Sequence, residues 1–228
     1  MTPLHRHQLA WLSEAGWRSV LGQAWDATAR DCLTHWAGAR LPLVVTRQAA
    51  RTDPVDDDGI ALGLPAPGRW NRRRLALSVA RSELLYFDEF PRAEKACRRL
   101  PIAARPAWRA LCDRLRAVGV VAHVYGSYGW QLLSGLDHVR RGSDVDLWLS
   151  VADAEQADAV GACLQAFAGS ALRLDGELMF ADGSAVAWRE WRAWRSGQVR
   201  ALLVKSIGGN ALLQPPQWQA PTALAEAA

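Results

Sequence analysis

Lysine is nearly missing from this chain: Lys95 and Lys205 stand alone among 27 basic residues, the rest being arginine. Methionine is as rare, with two residues, and there are four cysteines, Cys32, Cys97, Cys112 and Cys163. The scattered cysteine spacing excludes a paired zinc or redox motif and predicts four reduced, largely buried thiols. No apolar run approaches the roughly 20 residues a membrane-spanning helix needs. The N-terminal MTPLHRHQLAWLSEAGW lacks the apolar stretch and small-residue cleavage site of a secretory signal, so the expected compartment is the cytoplasm. Internal repeats and heptads are absent too. What is there is a globular balance: 50% hydrophobic and 22% charged residues in a chain of 228, enough for one large domain or two small ones. The net charge of +4 suits a phosphate-rich ligand or an acidic partner, although a GC-rich genome would give the same arginine bias.

The pattern along the chain predicts an α+β fold. Leu9, Leu12, Val20, Leu21 and Trp25 recur at helical spacing and predict helix over residues 4–40. LPLVVTRQ (41–48) is a β-branched strand, RTDPVDDDGI (51–60) is turn chemistry, and GIALGLPAP and RRRLALSVARSEL predict two further strands about a Pro/Gly turn at 65–68. Together they form an N-terminal α+β domain over 1–90. Residues 91–118 are helical and arginine-rich, divided into at least two helices by Pro101 and Pro106. Then come a buried strand (VVAHVYGS), a helix (YGWQLLSGL), a loop (DHVRRGS) and a strand (DVDLWLSV). Residues 152–168 are helical; ALRLDGELMF, a turn at 181–183 and SAVAWREW predict a hairpin. A second domain spans 91–213, with a mixed sheet flanked by helices, and the Pro/Ala-rich tail 214–228 is expected to be poorly ordered.

Chemistry concentrates in GSYGWQLLSGLDHVRRGSDVDLWL (126–149). Side chains alternate along a strand, so Asp144 and Asp146 share one face and Val145, Leu147 and Leu149 the other. Two ionised carboxylates so close repel each other unless a cation neutralises them, and a hard oxygen-seeking ion such as magnesium meets that need. Gly126 and Ser127 join a strand to a helix, where glycine permits close backbone approach and free N–H groups favour an anion. Each half alone is common as a solvated edge or a plain turn. Their order and separation place a phosphate cradle beside a metal pair, the equipment for phosphoryl or nucleotidyl transfer.

Gly126-Ser127 followed by Asp144-Val145-Asp146-Leu147 resembles the signature of the DNA-polymerase-beta-like nucleotidyltransferase superfamily, with a longer connection than minimal members have. That connection carries Arg140 and Arg141, which can contact phosphate or simply face solvent. More narrowly, GSYGWQ, SDVDLWL, LDGELMF, AVAWREW and LVKSIGG, with LPLVVTRQ and GIALGLPAP, are similar to the malonate decarboxylase holo-acyl-carrier-protein synthases, the phosphoribosyl-dephospho-CoA transferases. The resemblance implies transfer of the phosphoribosyl-dephospho-CoA group from 2′-(5-triphosphoribosyl)-3′-dephospho-CoA to a serine of the acyl carrier subunit, with release of pyrophosphate. It also implies magnesium or manganese on Asp144 and Asp146, substrate or carrier binding by the 1–90 domain and catalysis by the 91–213 domain; neither membrane nor nucleic acid is an expected partner.

Several assignments stay open. A third carboxylate, which could act as general base, is sought in Glu190, then Asp175, with Glu177 also a candidate. Lys205, before Ser206-Ile207-Gly208-Gly209, reads equally as a phosphate contact or a solvated end. Trp188, Trp191 and Trp194 fit core packing better than adenine stacking. His5 and His7 at an exposed terminus make a poor metal pair. The arginine-rich 92–116 segment can dock an acidic carrier protein or merely be solvated. The rival readings are a generic ATP-dependent nucleotidyltransferase moving AMP, and a noncatalytic nucleotide- or RNA-binding module; the intact acidic pair counts against the second.

Overall fold

The computed structural model describes residues 4–49, 59–167 and 172–214. They form two sheets with helices against them, an α+β fold. The first sheet is antiparallel, with strands β1 (Leu9–Leu12), β2 (Leu43–Val45), β3 (Gly59–Pro65), β4 (Arg74–Ala80) and β5 (Leu84–Asp88) in the order β4-β3-β2-β1-β5. In β4, Leu75, Leu77 and Val79 are buried while Arg74, Ala76 and Ser78 are exposed, the alternation of a sheet wetted on one side. Helices α1 (Glu14–Gly22) and α2 (Ala27–Gly38) start where Ser13 and Asp26 accept from the backbone N–H groups of Gly16 and Ala29.

Two expectations need correcting here. Leu9–Leu12 is a strand rather than part of a helix. Leu9 and Leu12 mimic helical spacing, but Leu9, Ala10 and Leu12 are all buried in a strand paired on both edges, with β2 and with β5. The region after residue 59 also holds three strands instead of two, β5 being the addition. The turn chemistry at 51–58 and the tail 215–228 lie outside the described residues.

The second sheet is mixed: β6 (Ala122–Tyr125), β7 (Val145–Val151), β8 (Leu174–Phe180), β9 (Ala185–Ala187), β10 (Leu202–Lys205) and β11 (Asn210–Leu213), in the order β11-β10-β9-β8-β7-β6. Among the described strands only β7 and β8 run parallel, and α6 (Ala154–Phe167) supplies the crossover a parallel pair requires. One face of the sheet presents Val124, Val145, Leu147, Leu149, Leu174 and Leu178 to a core shared with α6 and α4 (Arg105–Ala117). The arginine-rich region is divided as expected, into α3 (Ala93–Ala96) and α4, with Pro106 in the first turn of α4, where its missing N–H costs nothing. The opposite face carries the polar Tyr125, Asp146, Asp175 and Glu177 together with Trp148 and Met179.

Between β6 and the loop to β7 runs α5 (Gly126–Ser134), whose Trp130 is buried in the first sheet's core against Phe90, ring centroids 5.3 Å apart. The helix that carries the glycine-serine motif is thereby held by both cores. Cys32 and Cys112 are buried, Cys97 and Cys163 half-buried, and all four are free, as their spacing predicts. Among the described residues no helix is long and apolar enough to cross a membrane.

Candidate active site

Register places the polar groups together. Tyr125, the last residue of β6, pairs with Asp146 in β7, and Asp146 pairs with Asp175 in β8. Directly after Tyr125 the chain turns into α5 at Gly126, with φ of +60°. A Cβ at that position would lie 1.9 Å from Oδ2 of Asp146. Glycine is therefore required twice, for the left-handed backbone and for the approach of a helix start to a carboxylate. Tyr125 offers no side-chain cap, which leaves the first N–H groups of α5 to an anion. Ser127 is half-buried in that first turn.

Asp144 stands just before β7. Its Oδ2 is 3.2 Å from Arg173, while Oδ1 is buried without a hydrogen-bond partner among the described residues. Burial pushes the Asp146 carboxyl up to about 7, and the neighbouring Asp175, Asp144 and Glu177 charges add to the effect. An orphaned acceptor and an acid that resists ionising are donors short of a cation. Among the described residues no three His, Cys, Asp or Glu side chains are gathered as a ready metal cage. Asp144 and Asp146 are the residues that could hold a hard cation, since magnesium commonly takes one or two carboxylates and fills its remaining positions with water and substrate phosphate.

The other candidate acids separate. Asp175 faces Asp146 across the ladder, half-exposed, accepting from the Gly176 N–H at 2.8 Å and lying 3.5 Å from Arg189. Glu190 does not sit at a strand end: β9 stops at Ala187, and Trp188–Arg195 is a helix, α7, on whose exposed side Glu190 lies. Trp188 and Trp191 drive this switch. Both are fully buried in the core, at a spacing that a helix, and not a strand, directs to one side. Core packing, rather than adenine stacking, is what these tryptophans do.

Glu177 is only 4% exposed and its carboxylate is fully engaged. Arg6 donates from Nε at 3.2 Å and from Nη2 at 3.3 Å, His7 from Nε2 at 2.8 Å, and Lys205 from Nζ at 2.7 Å. Burial alone would raise this carboxyl, but His7, Lys205 and Arg6 outweigh it and hold it far below the ordinary carboxylate range. Lys205 is thus tied to a buried acid where a phosphate contact or a solvated end was expected.

The N-terminal arm is the element the sequence did not announce. His7, at φ +64°, stacks on Tyr125 with ring centroids 4.0 Å apart, and His5 donates to Glu89 at 2.8 Å and lies against Trp148. Residues 5–7 lie across the Glu177 face of the second sheet instead of being exposed. One signal was available: Glu177, followed by the apolar Leu178-Met179-Phe180 of a buried strand, needs cations, and HRH is a concentrated source of them.

The comparisons with known proteins cover nearly the whole chain. The profile described as phosphoribosyl-dephospho-CoA transferase MdcG, N-terminal domain, matches residues 5–90, and that of the C-terminal domain matches residues 90–216. A phosphoribosyl-dephospho-CoA transferase from Bradyrhizobium diazoefficiens is 38% identical over 221 residues, 95% of this chain and 92% of its own length. Proteins of the same name from Xanthomonas euvesicatoria and Pseudomonas aeruginosa are 34% and 32% identical, covering 88% and 84% of this chain and 90% and 85% of their own. No solved structure matches significantly. With both domain profiles matched in order from residue 5 to 216, this chain belongs to the phosphoribosyl-dephospho-CoA transferase family.

Proposed function

We propose that this protein transfers the phosphoribosyl-dephospho-CoA group from 2′-(5-triphosphoribosyl)-3′-dephospho-CoA to a serine of the malonate decarboxylase acyl carrier subunit, releasing pyrophosphate. The observation that carries the reading is the contact between the Gly126 helix start and Asp146, beside the unpartnered Oδ1 of Asp144, in a chain of this family. An uncapped helix start beside an acid pair whose one ion-pair partner among the described residues is the exposed Arg173 supports the two halves of a polymerase-beta-like transfer site.

In this reading Asp144 and Asp146 hold magnesium or manganese, which when bound offsets charge on the triphosphate and on the departing pyrophosphate. The N–H groups at the start of α5, with the Ser127 hydroxyl, hold the terminal phosphates so that the pyrophosphate lies in line with the incoming oxygen. A bond forms from the carrier serine oxygen to the phosphorus attached to the ribose, and the bond from that phosphorus to pyrophosphate breaks. Asp175, facing Asp146, takes the serine proton. Arg173, paired with Asp144, keeps one of its oxygens turned aside.

The test is intact-mass analysis of the carrier subunit after incubation with the triphosphoribosyl donor, with ATP as the alternative donor. Wild type should add the phosphoribosyl-dephospho-CoA mass and no AMP, and Asp144→Ala should add nothing. Near-normal turnover by Asp144→Ala, or AMP transfer in place of the expected adduct, would overturn the reading.

A further inference from the structure

Beside Asp144 opens a cleft of about 710 Å³ between the residue 98–105 segment and the loop 139–143. Six arginines line it: Arg98, Arg99, Arg105, Arg140, Arg141 and Arg173. Arg173 reaches Asp144, and Arg105 donates to the backbone oxygens of Leu100 and Arg98. None of the ion pairs among the described residues involves Arg98, Arg99, Arg140 or Arg141. Four like charges around one concavity repel one another, and an anion seated between them relieves that repulsion. The size falls within the roughly 300–1,000 Å³ of small-molecule sites.

The walls are not purely cationic. Leu100, Tyr128 and Leu172 are buried at the cleft, and Ile102 is 78% exposed at it. Tyr128 belongs to the first turns of α5, two residues from Gly126. A ligand suited to such walls is part polyanion and part apolar body, which inorganic pyrophosphate is not. An acidic protein surface is suited to the exposed rim arginines, but a convex surface does not fill a cleft of this volume. The cleft begins one residue from Asp144, at Ser143, and so a ligand reacting at Asp144 and Asp146 can extend into it.

We propose that this cleft binds the diphosphate and adenosine of the donor's dephospho-CoA arm, an inference that rests on the function proposed above. Arg98, Arg99, Arg140 and Arg141 contact the diphosphate, and Tyr128 with the aliphatic wall contacts the nucleoside and the start of the pantetheine chain.

Dephospho-CoA alone, without the triphosphoribosyl group, is the probe. Calorimetric titration of the full chain compares wild type with Arg98→Gln/Arg99→Gln and Arg140→Gln/Arg141→Gln. Each pair should weaken dephospho-CoA binding by about tenfold, in line with the loss of a hydrogen bond to a charged group. Inorganic pyrophosphate binding and the thermal melt should stay as in wild type. The KM for the full donor should rise more than kcat falls. Unchanged dephospho-CoA affinity in both variants overturns the cleft assignment, and so does a loss confined to pyrophosphate or to the carrier protein. Asp144→Ala separates the two proposals: it should still bind dephospho-CoA while failing to transfer. A wild-type chain that never modifies the carrier overturns the function itself, whatever the cleft binds.

Discussion

On one face of one sheet, two residues apart along β8, Asp175 and Glu177 border opposite electrostatic surroundings. Glu177 is wrapped by Arg6, His7 and Lys205, and its carboxyl is held far below the usual range despite burial. Asp175 faces Asp146, with Asp144 near, and among the described residues the ion-pair partners there are Arg173 and Arg189, each with an exposed side chain. Burial acts on Glu177 and on Asp146, the neighbour of Asp175, and the difference between those two lies in countercharge. A buried acid already satisfied by its own chain is holding the protein together, here fastening the N-terminal arm to the second sheet. Raised or orphaned carboxylates concentrate at functional sites, where a ligand can complete them.

The largest effect that would sharpen this contrast is at Asp146. Asp146→Asn should lower transfer at least about a thousandfold, the scale of losing a group that stabilises developing charge. Without divalent cations it should also stabilise the fold at pH 8. The sign follows from the raised carboxyl: the folded state keeps its proton up to about 7, whereas the unfolded chain releases it near the ordinary 3.8. Ionising the folded protein therefore costs stability progressively from about pH 4 to pH 7, and Asn has nothing to ionise. A gain of about 2 kcal/mol at pH 8, or roughly 4–8 °C in Tm, should vanish near pH 4. Thermal melts in chelator across that range decide it. A variant less stable than wild type at pH 8 would break the comparison, because Asp146 would then be a structural acid like Glu177.

The difference between these acids was only half legible in the sequence. The stretch from β6 through Gly126 and α5 to β7 is local: alternation of DVDLWL, a glycine at a strand end and a short loop suffice to place Asp144 and Asp146 beside a helix start. The partners of Glu177 are not local, since Arg6 and His7 reach it from the other end of the chain and Lys205 from β10. β1 was hidden for the same reason, because its partners Val44 and Asp88 are set by the fold and not by neighbouring residues. Glu190 is a different lesson. The three-residue recurrence of Trp188, Trp191 and Trp194 was itself a helical signal, and applied consistently it moves Glu190 off the strand.

Next in size is Glu177→Gln, which leaves Arg6 and Lys205 close together in a poorly solvated place without their anion. The expected loss is about 3 kcal/mol at pH 7, at the lower end for breaking a buried ion pair from one side. Its pH dependence runs opposite to that of Asp146→Asn. A depressed carboxyl contributes stability above its unfolded value of 4.5 and loses it as pH falls through the folded value, so the gap to wild type should narrow only in acid. Chemical denaturation at pH 7 and in acid measures both. A Glu177→Gln protein as stable as wild type at pH 7 would mean that the arm is held by other contacts.

The smallest effect concerns Lys205, and it asks on which side of the comparison this lysine belongs. Lys205 Nζ is 2.7 Å from Glu177, with Arg6 and His7 sharing the same carboxylate, so removing one of three donors should cost only about 1 kcal/mol. Lys205→Met in the wild-type background should show that loss. In the Glu177→Gln background the same change should be nearly neutral or slightly favourable, because it removes a cation that no longer has a partner. The cycle is read by denaturant midpoints, and donor KM is measured on the same four proteins. A Lys205→Met protein with unchanged stability but a raised KM would assign the lysine to substrate phosphate, and additive losses in the cycle would show that Lys205 and Glu177 do not act on each other.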